Sequence, residues 1–220
     1  MGGRRQSIYP LLAKSLKGSG CDRINDRVFK LKNSSTEVEH FLYARLIMAG
    51  ELFELNFGMR NREAEEFAIN CMRSHGGEAF KWMRRDERFD CSMRFSLGRL
   101  AHWGRYGLLV VSRPDLASTV ARVEHDIQEI LMPFIEGVCN LEALMQFLKK
   151  DALPCEWIYT NGAIRMAEIL YIARKVGFKI SEIEELASSL KKHIAGSLGK
   201  DADPVAYFDH VVRSVEKHES

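Results

Sequence analysis

No apolar run in this chain approaches the roughly 18–20 residues needed to cross a bilayer as a helix. The longest apolar stretches, Leu108–Val111 and Ala167–Ala173, have the size of core segments. The basic start, Met1-Gly2-Gly3-Arg4-Arg5, is followed by neither an apolar signal region nor a small-residue cleavage site. Gln6 stands where a myristoylation signal needs Ser or Thr. Together these absences lead us to expect a cytoplasmic protein with no membrane partner. Cysteine is sparse and unpaired: Cys21, Cys71, Cys91, Cys139 and Cys155 are odd in number and contain no C-x-x-C. That pattern suggests neither a disulfide framework nor a zinc site. Cys91 is in phase with Met93, Phe95 and Leu97 and reads as a core position of a strand.

Catalytic signatures are missing as well. Neither G-x-x-x-x-G-K nor G-x-G-x-x-G occurs, so no phosphate-cradling loop can be read. The seven histidines form no H-E-x-x-H pair, and His75-Gly76-Gly77 has no G-x-S-x-G to serve. Glu63, Glu65 and Glu66, like Glu182, Glu184 and Glu185, stand near expected helix starts, where the dipole favours negative charge without any catalytic role. No cofactor, metal or catalytic residue is therefore assigned.

What is present is ordinary globular material: 46% hydrophobic and 28% charged residues, enough for a real core over 220 positions. The net charge of +2 is uneven. Residues 1–114 carry 20 Lys/Arg against 13 Asp/Glu, and residues 115–220 carry 12 against 17. Such polarity suits a basic face aimed at an anionic partner, or one half of a fold neutralising the other. We favour the second.

Hydrophobic period predicts the elements. Ile8, Leu11, Leu12 and Leu16 have helical spacing, closed by Gly18-Ser19-Gly20. Val28–Lys32 and Phe41–Met48 read as strands, with a reversal at Ala49-Gly50-Glu51. Phe53, Leu55, Phe57 and Met59 alternate with polar residues or glycine, which places four apolar side chains on one face of a strand. Glu63–Ser74 reads as helix, Cys91–Leu97 as a second alternating strand, and Leu108–Val111 as a short buried one. From Pro114 onward the pattern is helical. A stripe runs from Leu116 to Phe134, with Pro133 arguing for a kink or stop. Helices follow over Leu141–Leu148 and from a cap at Asn161 or Thr160 to Val176, closed by Gly177. Another opens at a Ser181–Glu184 capping box and shows Ile183, Leu186, Leu190 and Ile194 on one face. The last opens at Asp203-Pro204, with Val205, Phe208, Val211, Val212 and Val215 as its apolar set.

The expected fold class is α+β: a mostly antiparallel sheet of four or five strands packed by helices, over residues 1–152. An all-helical C-terminal extension, residues 153–220, follows the soft boundary at Leu153-Pro154-Cys155. The stretch 81–113 interleaves Lys81, Arg84, Arg85, Arg88, Arg94, Arg99, Arg105 and Arg113 with Trp82, Phe89, Trp103 and Tyr106. Arginines among aromatics on a sheet can grip single-stranded nucleic acid, charge to phosphate and ring to base. Solvated arginine stems covering apolar surface explain the same composition and are preferred here.

Several short motifs carry a family resemblance. Phe53-Glu54-Leu55-Asn56-Phe57-Gly58-Met59, then Met93-Arg94-Phe95-Ser96-Leu97-Gly98-Arg99-Leu100, then a turn with His102-Trp103, then Met132-Pro133-Phe134-Ile135 follow one another in order. In this, residues 7–150 resemble the bacterial domain of unknown function numbered 4304. The resemblance implies an antiparallel sheet with helices packed on it. It implies no activity and no site residues, and residues 155–220 lie outside it. The function expected on these grounds is a protein–protein interaction module of the immunity or assembly kind, without catalytic activity and with a protein partner. Nucleic-acid binding through the Arg-rich 81–113 face is the second reading, and an enzyme of unrecognised type the third. Asn56, Arg94, Arg99 and Trp103 are the expected surface positions.

Overall fold

The computed structural model describes residues 8–32, 37–48, 51–81, 93–111, 115–150, 161–191 and 194–218. The chain forms two compact units, each built from separated stretches: residues 1–58 with 94–137, and residues 59–93 with 138–220. The soft boundary near 153 falls outside the described residues. The helix of residues 62–75 belongs to the second unit, together with the helices after 138.

The first unit holds an antiparallel sheet, confirming the α+β expectation. Its strands are β1 (Cys21–Arg23), β2 (Val28–Leu31), β3 (Glu39–Ile47), β4 (Leu52–Arg60), β5 (Met93–Ser96) and β6 (Leu109–Val110). The order is β1-β2-β3-β4-β5, and β6 pairs with β4 beyond the end of β5. Each of the five expected strand segments contains a strand, β2 to β6. β1, three residues long, offers too short a pattern to read. Phe53, Leu55, Phe57 and Met59 are fully buried, each worth about 1.5–3 kcal/mol of gross burial. Phe57 stacks on His40 of β3 at 5.6 Å and meets Phe95 and Phe134 at 6.2 and 6.1 Å, so these rings mark the core face of the sheet.

Helices α1 (Ile8–Gly18) and α4 (Leu116–Asp126) pack on each other. The first buries Ile8, Leu12 and Leu16. After α4 the chain widens into one π-helical turn, Ile127–Leu131, before α5 (Met132–Glu136). Pro133 is the physical reason. It has no N–H to give and its ring crowds the carbonyl four residues back, and a wider turn relieves that clash without stopping the helix. The Met132 N–H accordingly reaches back five residues to the Ile127 carbonyl.

The alternating segment ending at Leu97 is strand only through Ser96. There the Ser96 hydroxyl accepts from the Arg99 N–H and caps a one-turn helix, α3 (Leu97–Leu100). Gly98 allows this turn: a Cβ on it would lie 2.0 Å from the Gly107 carbonyl oxygen and 2.7 Å from the Trp103 ring. Cys91 lies outside the described residues.

The second unit is helical: α2 (Arg62–His75), α6 (Leu141–Lys150), α7 (Gly162–Lys175), α8 (Ile180–Leu190) and α9 (Pro204–Glu216). α7 is the centre, as its apolar composition predicts. It buries nine residues between 163 and 173 and packs against α2, α6, α8 and α9. Asn61 and Asn161 cap α2 and α7, each accepting from backbone N–H groups with its side chain. The α8 capping contact is two residues earlier than the Ser181–Glu184 pattern suggests: Glu182 Oε2 accepts from the Lys179 N–H at 2.8 Å. Tyr207 of α9 is buried and donates to the Ala163 carbonyl at 2.8 Å, and burial raises its pKa well above 10. Among the described residues no single helix is long and apolar enough to cross a membrane.

Candidate interaction surface

Asn56 and Arg94 do share a surface. Both lie on the face of the sheet opposite Phe57 and Phe95, half-buried, in the company of Lys30, Phe41 and Tyr43. The Arg94 guanidinium lies 4.6 Å from the centre of the Tyr43 ring. Lys30 bonds Glu39 at 2.6 Å and lies 5.9 Å from the Phe41 ring. Lys32 pairs with Asp22 at 3.2 Å. The cations on this face are thus already neutralised or stacked, and Tyr43 has one ring face covered by arginine. Asn56 Oδ1 is buried and finds no hydrogen-bond partner among the described residues.

Arg99 is half-exposed on α3 and is not on this face. Trp103 is not a surface residue: it is 1% exposed, lies 6.2 Å from the Phe53 ring, and donates its indole N–H to Asp126 Oδ2 at 2.5 Å. The polar tip of an indole is readily buried when a carboxylate waits for it, and Asp126 lies too far along the chain for the pairing to be read from sequence. Of the Arg-rich stretch, Lys81 pairs with Glu78, and Trp82, Arg84, Arg85, Arg88, Phe89 and Arg113 lie outside the described residues.

A second feature lies at one end of the sheet. β3 runs out at Ile47, and Met48 adopts a left-handed φ of 48°. The Glu51 N–H donates to the Met48 carbonyl at 3.1 Å, and the Glu51 carbonyl accepts from Val111 at 2.8 Å. Leu52 then pairs with Val110, and Phe53 with Leu109. Val110 is 72% exposed and Met48 68%. Tyr106, 64% exposed with φ 70°, sits on the turn that feeds β6. Leu46, Ile47, Leu52, Leu108 and Leu109 around them are only half-buried. The expectation of a buried strand at Leu108–Val111 is therefore corrected. β6 is a two-residue strand added at the end of the sheet, and one of its side chains faces solvent.

Sequence reading missed Met48, Tyr106 and Val110 because a run of apolar letters looks the same whether it is covered or bare. Non-glycine residues at positive φ leave no trace in composition. A left-handed L-residue costs roughly 1–2 kcal/mol, and strain of this kind gathers where a surface is used.

The ionisable groups elsewhere offer little chemistry. Burial pushes the Cys21 thiol up to about 11 and the Cys71 thiol up to about 12, so both stay protonated and unreactive near neutrality. Among the described residues no group of three or more His, Cys, Asp or Glu is placed to hold a metal ion. Comparison with protein-family models, curated proteins and solved structures finds no match to this chain.

Proposed function

We propose that this chain is a protein–protein interaction module that docks a partner on the apolar end of its sheet. The observation that carries the reading is the coincidence of exposure and strain. Met48, Tyr106 and Val110 make up three of the five large hydrophobic side chains that are exposed among the described residues, and two of the three sit on left-handed backbone. Bare apolar side chains gathered on neighbouring turns and strand ends are the kind of surface that docking sites use. The two-residue β6 beside it offers backbone groups to an extended segment of a partner, the mode in which main-chain hydrogen bonds give affinity and side-chain pockets give selectivity. The pairing of Lys30, Lys32 and Arg94 within the sheet face favours a protein partner over nucleic acid there. The resemblance of residues 7–150 to the domain of unknown function numbered 4304 brings no activity to this reading.

The test is a pull-down of the tagged chain from native lysate, with and without nuclease, analysed by mass spectrometry. The proposal expects a near-stoichiometric protein that survives nuclease. Loss of every partner on nuclease treatment would transfer the function to the Arg-rich 81–113 stretch.

A further inference from the structure

In the second unit, α2 and α9 run antiparallel along a seam that has a histidine of α9 at each end. Phe67 and His75 lie about two turns apart on α2, and His218 and His210 are equally far apart along the chain at α9. His75 stacks on His210, with ring centres 3.9 Å apart and planes inclined by 22°. At the other end, the His218 ring stands edge-on to Phe67 of α2 at 5.5 Å and to Tyr171 of α7 at 5.3 Å. Along the same stretch α9 buries Tyr207, Val211 and Val215.

The two ends differ in how they receive a proton. At His218 the Glu63 carboxylate lies within electrostatic reach of the ring, so a positive charge there is answered. At His210 the neighbouring charges are cations or become so: His75 across the seam, and Arg213 and Lys217 on its own helix. α7 and α8 also pack on α9, but Glu168 of α7 acts on Tyr207, and Lys191 at the end of α8 lies over Phe208 at 4.7 Å. Asp201 is committed to the Glu78 N–H at 2.7 Å, Asp203 to the first N–H groups of α9, and Asp209 is exposed. His75 Nδ1 is buried and has no hydrogen-bond partner among the described residues. A protonated imidazole donates from both nitrogens. A proton on His75 therefore leaves a buried donor unmet and sets its charge directly against the His210 ring. Burial first, then His75, Arg213 and Lys217, hold the His210 pKa below 6.5, in keeping with a seam built for neutral rings.

We propose that the His75–His210 stack is an acid-operated latch: neutral rings hold α9 against α2, and protonation parts them, releasing α9 and uncovering its Tyr207–Val211–Val215 stripe. The latched form is fully favoured above about pH 6.5 and loses ground as pH falls toward the lowered His210 value. Histidines whose charge appears between neutral and mildly acidic pH, set on an element that can open, are the usual parts of a pH sensor. The latch acts within the second unit and does not depend on docking at the end of the sheet.

The test is amide hydrogen exchange of the full chain at about pH 7.5 and about pH 5, corrected for the intrinsic rates and resolved by peptide. In the wild type, exchange over α9 should quicken about tenfold on acidification, while β4 in the first unit keeps its protection. His210→Gln and His75→Gln, made singly, should each retain the protection of α9 at the higher pH and lose most of the response to acid. His218→Gln should respond as the wild type does, because its ring meets no second imidazole. Unchanged exchange of α9 at the lower pH, equal loss of protection in α9 and β4, a full acid response in both stack variants, or a response abolished by His218→Gln would each overturn the proposal.

Discussion

Removing the Trp103 indole N–H should be among the most damaging conservative changes in the first unit. Asp126 is 5% exposed, and its Oδ2 accepts from Trp103 Nε1 at 2.5 Å and from Arg122 Nε at 3.1 Å. Arg122 is half in solvent, so the indole is the partner that satisfies the carboxylate within the core. A hydrogen bond to a charged group contributes about 1.5–3 kcal/mol. Trp103→Phe loses that bond and part of the ring packed on Phe53, for a total of about 3–4 kcal/mol. Asp126→Ala leaves the indole N–H buried and unpaired, at about 1–3 kcal/mol. The two defects share one bond. The double variant should therefore be more stable than the sum of the singles predicts, by about 2 kcal/mol. Urea denaturation followed by far-ultraviolet circular dichroism measures all four proteins without relying on tryptophan emission. Additivity within about 0.5 kcal/mol would mean that the pair makes no bond worth the name, and the argument would fail.

Gly98→Ala should cost about 3 kcal/mol or more, because the added carbon meets the rigid Gly107 carbonyl at 2.0 Å; a melting temperature within two or three degrees of wild type would refute it. His210 stacks on His75 at 3.9 Å, and burial first, then His75, Arg213 and Lys217, hold its pKa below 6.5. Its neutral form is thus the one the fold accommodates. Stability should be full above about pH 6.5 and fall as pH drops through the lowered value, and His210→Gln should flatten that slope in urea titrations between pH 7 and 5. Glu63 accepts from Tyr171 at 3.0 Å and pairs with Lys175 at 3.2 Å, contacts that lower its pKa, Lys175 foremost. Its contribution is present above the ordinary glutamate value and is lost on acidification. Because the Glu63 side chain is 66% exposed, Lys175→Met should cost under about 1 kcal/mol, and a larger loss would show that exposure has been misjudged.

The parts of the fold legible in the sequence are those where one residue's environment repeats in its neighbours. Phe53, Leu55, Phe57 and Met59 announce β4, and Ile183, Leu186 and Leu190 announce the buried side of α8, because period and burial coincide. Asp203 and Asn161 announce helix starts through local hydrogen bonds to their own backbone. What was not legible depends on contacts distant in sequence. Trp103 stands among the expected surface positions until Asp126, distant in sequence, is brought to it. Valines at 205, 211, 212 and 215 look equivalent, yet the neighbouring helices cover 211 and 215 and leave 205 bare. Ser96 ends a strand early because its hydroxyl caps the next turn. Of the four expected surface residues, the alternation correctly gave Asn56 and Arg94 a common face, whereas the bare end of the sheet rests on backbone angles at Met48 and Tyr106 that no composition records.

The most direct measurement of the central claim separates docking from stability at the end of the sheet. Met48→Asn places at φ 48° a residue suited to left-handed backbone, and Val110→Thr keeps the branched β-carbon that strands favour. Together they remove two apolar side chains from the proposed contact while leaving the fold intact or up to about 1 kcal/mol more stable. Wild type and the double variant are compared by urea denaturation and by nuclease-treated pull-down of the same partner. The account predicts equal or higher stability with the partner lost. Retention of the partner at wild-type stoichiometry by a folded variant would contradict it.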